Sequence, residues 1–178
     1  MFNNNNTNFG GGCFIYSKIN LSNNNFANNN FTTIYTLNDQ ITINKNRFNT
    51  NDAVLGIGFN DSTVNLNNFL INYNTFLNNG IMLVFDGNRN NINHDNILNN
   101  GTKKGILING NNNKFINLLI VKLSNIAVTF NNFASGNNFT NGTVTENGYG
   151  FLILGNNNCV MSSTILANRG YGFNISGK

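Results

Sequence analysis

At 178 residues, 40% of them hydrophobic and only 9% charged, the chain has the length of one domain and enough apolar residues for a packed core, unlike the polar, highly charged composition of a disordered segment. Ten Lys and Arg against six Asp and Glu leave a formal net charge of +4. The bases are scattered and Lys103-Lys104 is their sole doublet, which excludes the concentrated basic face of a nucleic-acid binder. No apolar run is long enough to insert into a membrane, and Met1-Phe2 followed by Asn3 to Asn6 is not a signal peptide.

In chain order, an irregular Asn- and Gly-rich start over 1–12 leads into a short alternating run, Phe14 to Tyr16. From there the pattern apolar-x-x-Asn-x-apolar-x-x-Asn, with substitutes at the Asn positions, returns every 21 to 28 residues. Its first apolar position is Leu21, Ile43, Ile71, Ile92, Ile116, Phe139 and Val160. Three residues on stand Asn24, Asn46, Asn74, Asp95, Leu119, Gly142 and Ser163. The second apolar position is Phe26, Phe48, Phe76, Ile97, Val121, Val144 and Ile165, followed by Asn29, Asn51, Asn79, Asn100, Ser124, Asn147 and Asn168. From the second copy on, each is followed by another alternating run: Val54 to Phe59, Ile81 to Phe85, Gly105 to Ile108, Ile126 to Phe130, Phe151 to Leu154 and Phe173 to Ile175.

Self-similarity at this period means stacked units, each too small to bury its own apolar face. A leucine-rich repeat needs a denser leucine pattern and a helical turn in each unit, and the copies supply neither. Alternation of period two fits strands, and no Pro interrupts a hydrogen-bond ladder. Gly110-Asn111-Asn112-Asn113, Gly155-Asn156-Asn157-Asn158 and Asn79-Gly80 supply residues that tolerate positive φ at tight bends. The expected fold is all-β: a single-stranded right-handed parallel β-helix of about seven to eight coils, one domain over 1–178, with coils about 4.8 Å apart. Stacked amides at Asn24, Asn46, Asn74 and the near-isosteric Asp95 form an expected structural ladder that satisfies bend backbone groups. Asn makes up roughly a quarter of the chain, yet a low-complexity tract would not hold apolar residues in register across the copies. Cys13 and Cys159 fall about six coils apart, beyond disulfide reach, and are expected as small buried hydrophobes.

The segments Asn74-Thr75-Phe76-Leu77-Asn78-Asn79-Gly80 and Asn96-Ile97-Leu98-Asn99-Asn100-Gly101 are similar to the repeat core of the right-handed parallel β-helix repeat proteins. Over nearly its whole length the chain resembles two kinds of them: Asn-rich, adhesin-like surface proteins, and the periplasmic carbohydrate-binding and sugar-hydrolase (NosD-like) repeats. The resemblance implies an extracellular or cell-surface setting and a glycan or cell-surface protein as partner; neither end carries a cap for the open core, so a segment of a longer repeat protein is expected. Lyases, hydrolases, epimerases, tailspikes and adhesins share such repeats, so the scaffold does not supply the activity.

Polysaccharide-cleaving enzymes need clustered carboxylates. The acids here are Asp39, Asp52, Asp61, Asp86, Asp95 and Glu146, with no Asp-Asp pair and no Asn-Thr-Asp or Gly-His-Gly. The best residual catalytic cluster is Asp86, Arg89, His94 and Asp95, within one coil. Carboxylates are too sparse for a metal site, and no cofactor is expected. On the last strand of each coil, Met82, Val84, Leu107, Leu152 and Leu154 are expected to face outward as an apolar contact strip. The expectation is a non-catalytic, adhesin-like rod. A carbohydrate-active β-helix enzyme of the polysaccharide lyase or glycoside hydrolase type, and a spacer with no ligand, are the alternatives.

Overall fold

The computed structural model describes residues 2–3, 13–15, 20–27, 32–36, 42–49, 53–57, 70–77, 81–85, 88–93, 95–98 and 105–178. Among these residues every regular element is a strand, and no helix is long and apolar enough to cross a membrane. All pairings are parallel, and the strands form two eight-stranded sheets and one seven-stranded sheet in which each strand pairs with its counterparts one coil before and after. The chain is therefore a parallel β-solenoid with three walls. The first wall runs from Asn20–Ser22 to Cys159–Met161, the second from Phe2–Asn3 to Thr164–Leu166, and the third from Cys13–Ile15 to Phe173–Ile175.

Alternation decides what each wall buries. In the first wall Leu21, Ile43, Ile71, Ile92, Phe115 and Phe139 point inward; in the second Phe26, Phe48, Ile97, Ile120 and Val144 do; in the third Ile106, Ile108, Val128, Phe130, Phe151 and Ile153 complete the core. The aromatics pack along and across the axis. Phe26 stacks on Phe48 at 4.9 Å, and Phe151 meets Phe139 edge-on at 5.0 Å and Phe173 face-on at 5.2 Å.

The fifth copy differs by one residue from the sequence expectation. Phe115 pairs with Ile92 and Phe139, and Ile120 with Ile97 and Val144. The inward series of this coil is thus Phe115, Leu118, Ile120 and Leu123, all buried, instead of Ile116, Leu119, Val121 and Ser124. From Phe115 to Val121 every residue except Asn117 is apolar, so either register puts apolar side chains inside; a one-residue slip exchanges every face. Cys159 is also corrected: it is free and exposed, because it flanks the inward Val160 and points out of the first wall. Cys13 lies among residues whose side chains are not described.

Candidate functional site

Three corners join the walls, and each has the same two-residue device. A residue with positive φ turns the chain, and the next residue points inward. At the first corner the turning residues are Asn23, Lys45, Tyr73, Asn117, Asn141 and Ser162; at the second Lys122, Glu146 and Ala167; at the third Arg89, Asn112, Gly136 and Asn157. For a residue with a Cβ this conformation costs on the order of 1 kcal/mol. Something inside the wall must offset that cost at every corner.

Where the inward residue is Asn or Asp, it does so. Asn46 Oδ1 accepts the backbone N–H of Asn24 at 2.8 Å, while Asn46 Nδ2 donates to the carbonyl of Leu21 at 2.8 Å. Asn74 repeats this one coil on, accepting from Asn46 N–H at 2.8 Å and donating to the Ile43 carbonyl at 3.0 Å. Each rung thus closes two backbone groups of the coil before it: the N–H of the preceding rung and the carbonyl three residues ahead of that rung. Buried backbone groups left open would cost about 1–3 kcal/mol each.

A second stack, absent from the sequence expectation, stands at the third corner: Asn90, Asn113, Asn137 and Asn158. Asn137 Oδ1 accepts Asn113 N–H at 2.9 Å and its Nδ2 donates to the Gly110 carbonyl at 2.9 Å; Asn158 does the same for Asn137 and Ala134, at 3.0 and 2.8 Å. At the second corner Asn147 closes Leu123 N–H and the Ile120 carbonyl, and Asn168 closes Asn147 N–H and the Val144 carbonyl. An outer row runs beside the first corner, where Asn117 Nδ2 donates to Asn93 Oδ1 at 3.1 Å and Asn141 Nδ2 to Asn117 Oδ1 at 2.6 Å.

Asp95 is the fourth rung of the first corner and is fully buried. Its Oδ1 accepts the Asn74 backbone N–H at 2.6 Å and Asn74 Nδ2 at 3.0 Å, while its Oδ2 has no hydrogen-bond partner. Burial pushes its carboxyl up to about 7, with the Asn74 hydrogen bonds pulling the other way. Of the residual catalytic cluster, Arg89 stands exposed on the outside of the third corner and Asp95 lies inside the first. Asp86 and His94 lie outside the described residues. Among the described residues no group of three His, Cys, Asp or Glu could hold a metal.

In the register of the third wall Val84 pairs with Leu107, Leu107 with Thr129, Thr129 with Leu152 and Leu152 with Asn174. Leu107, Leu152 and Leu154 are half-buried, and Thr129 separates the first two. The side chains of Met82 and Val84 are not described. Ala127, which strict alternation along this strand would turn outward, is instead buried in the core.

Just past the second corner stands an outward aromatic pair. Gly148-Tyr149-Gly150-Phe151 is echoed one coil on by Gly170-Tyr171-Gly172-Phe173. The two tyrosine rings lie 4.6 Å apart and 32° from parallel, and Tyr149 is 39% exposed. Gly170 makes this possible, because a Cβ there would fall 2.2 Å from the Tyr149 ring. In the adjoining corner residues a cleft of about 380 Å³ is lined by Lys122, Leu123, Ser124, Glu146, Ala167 and Arg169. Lys122 and Glu146 approach to 3.9 Å, and Arg169 has no acidic partner among the described residues. Sequence reasoning misses the tyrosines although the repeated Gly-Tyr-Gly-Phe marks them. Phe133, 85% exposed at the third corner, has no such mark. The chain matches no family model, no curated protein and no solved structure.

Proposed function

We propose that the chain is a non-catalytic, adhesin-like rod of an extracellular or cell-surface protein, which presents outward side chains to a glycan. The observation that carries this reading is the paired tyrosines, with a charged cleft that begins two or three residues before each of them along the chain. Where an amide rung closes the corner from inside, the turning residue outside is free to vary, as Lys45, Glu146 and Asn157 do. Tyrosine offers apolar area and a hydroxyl at low entropic cost, which suits a sugar ring. Arg169, beside a Lys122 already paired to Glu146, leaves a net positive cleft and favours saccharides that carry a carboxylate.

The test is binding of the purified chain to an array of neutral and uronate-containing glycans, with products from the same wells analysed for cleavage. Binding to uronate-containing glycans without cleavage is expected. Tyr149→Ala and Arg169→Ala should each weaken it about tenfold, roughly 1.4 kcal/mol. Cleavage in those wells would move the reading to a carbohydrate-active enzyme. Binding that survives both substitutions and is lost in Leu152→Asp would place the contact on the strip of Leu107, Leu152 and Leu154.

A further inference from the structure

The rungs obey one rule that Asp95 breaks as long as it is charged. In each complete rung the amide nitrogen donates to the carbonyl three residues before the preceding rung: Asn46 to Leu21, Asn74 to Ile43, Asn137 to Gly110, Asn158 to Ala134, Asn147 to Ile120 and Asn168 to Val144. Applied to Asp95, whose preceding rung is Asn74, the rule names the carbonyl of Ile71. Asp95 Oδ1 already occupies the acceptor place of an Asn rung, taking both hydrogen bonds from Asn74. Its Oδ2 therefore takes the place of the amide nitrogen. It is buried and has no partner, and an ionised carboxylate has no proton to give to a carbonyl oxygen.

We propose that Asp95 is held as a neutral carboxylic acid whose Oδ2–H donates to the Ile71 carbonyl, making this rung a joint that is closed in acid and opened by loss of that proton. The chemistry is a proton equilibrium with water and needs no other reactant. The coil after it does not help the charged form, because the next residue at this corner is Leu118, which has neither donor nor acceptor on its side chain. Ionisable groups on the neighbouring elements are Tyr73 in the coil before, Arg89 in its own and Lys114 in the coil after. All three are exposed on the outer surface, and His94 lies outside the described residues. Inside the wall Asp95 meets Asn74 and the apolar core.

The linkage has a definite sign. A carboxyl whose folded value is raised stabilises the fold fully below its unfolded value near 3.8 and loses that contribution as pH climbs to about 7. The urea midpoint of the whole chain should therefore fall between about pH 4 and pH 7 and level off above. Asp95→Asn supplies the missing donor without a proton, so its midpoint should lose this slope and exceed the wild-type value at pH 8. A carbon-13 carboxyl titration of the unsubstituted protein reads the same group without a mutation. One aspartate titrating near neutrality, with its signal gone in Asp95→Asn, is the expected result. All aspartates titrating in the ordinary range, or an Asp95→Asn protein that keeps the wild-type pH slope, would overturn the proposal.

Discussion

The two halves of the rod close the first corner differently. In the first half the rungs stand at the first corner, Asn24 to Asp95, beneath a first wall of Leu21, Ile43, Ile71 and Ile92. In the second half that corner holds Leu118, Gly142 and Ser163, the first wall brings in Phe115 and Phe139, and the described rungs stand at the second corner, Asn147 and Asn168, and at the third, Asn90 to Asn158. The phenylalanines move as well. Phe26 and Phe48 fill the second wall early, where Ile120 and Val144 stand later. At the first corner a ring entering from the first wall takes the space beside the inward residue: a Cβ on Gly142 would lie 2.4 Å from the Phe139 ring. The coil of Asp95 holds the last rung of the first corner and, at its third corner, the rung Asn90.

The largest loss is expected at a third-corner rung. Asn137→Ala removes the acceptor of Asn113 N–H and the donor to the Gly110 carbonyl in a fully buried place. A loss of about 3–4 kcal/mol in urea denaturation is expected, two backbone groups being left open. Filling the space reserved for the ring comes next. Gly142→Ala should cost about 1–3 kcal/mol by overpacking against Phe139, whereas Gly172→Ala, whose Cβ would meet only Ile165 at 3.3 Å, should cost less than half as much. Equal losses at the two glycines would show that the Phe139 ring does not set the corner. The smallest effect belongs to the outside: Lys122→Ala removes an exposed pair at 3.9 Å and should change stability by less than about 0.5 kcal/mol.

The solenoid, its period and the first-corner ladder were legible because apolar residues and Asn recur together at one spacing in the early coils. The fifth copy was not, since from Phe115 to Val121 the chain is apolar apart from Asn117 and satisfies two registers. The cue that resolves it is Asn113, one residue before the wall as Asn90, Asn137 and Asn158 are, but in a run such as Gly110-Asn111-Asn112-Asn113 the asparagines look alike until the turning residue is known. Asn112 turns and Asn113 points in. The tyrosine pair was hidden for a different reason, because its rings meet only across successive coils and Gly170 reveals its purpose only against the Tyr149 ring.

The most direct test of the account is residue-resolved hydrogen exchange of the corner amides. If the rungs lock the coils, the backbone N–H groups of Asn46, Asn74, Asn113, Leu123 and Asn147, each donated to a side-chain oxygen of the next coil, will exchange as slowly as those of the walls. Asn137→Ala will speed Asn113 before the rest. Fast exchange at these corners within slowly exchanging walls would contradict the account, leaving the core alone to hold the rod together.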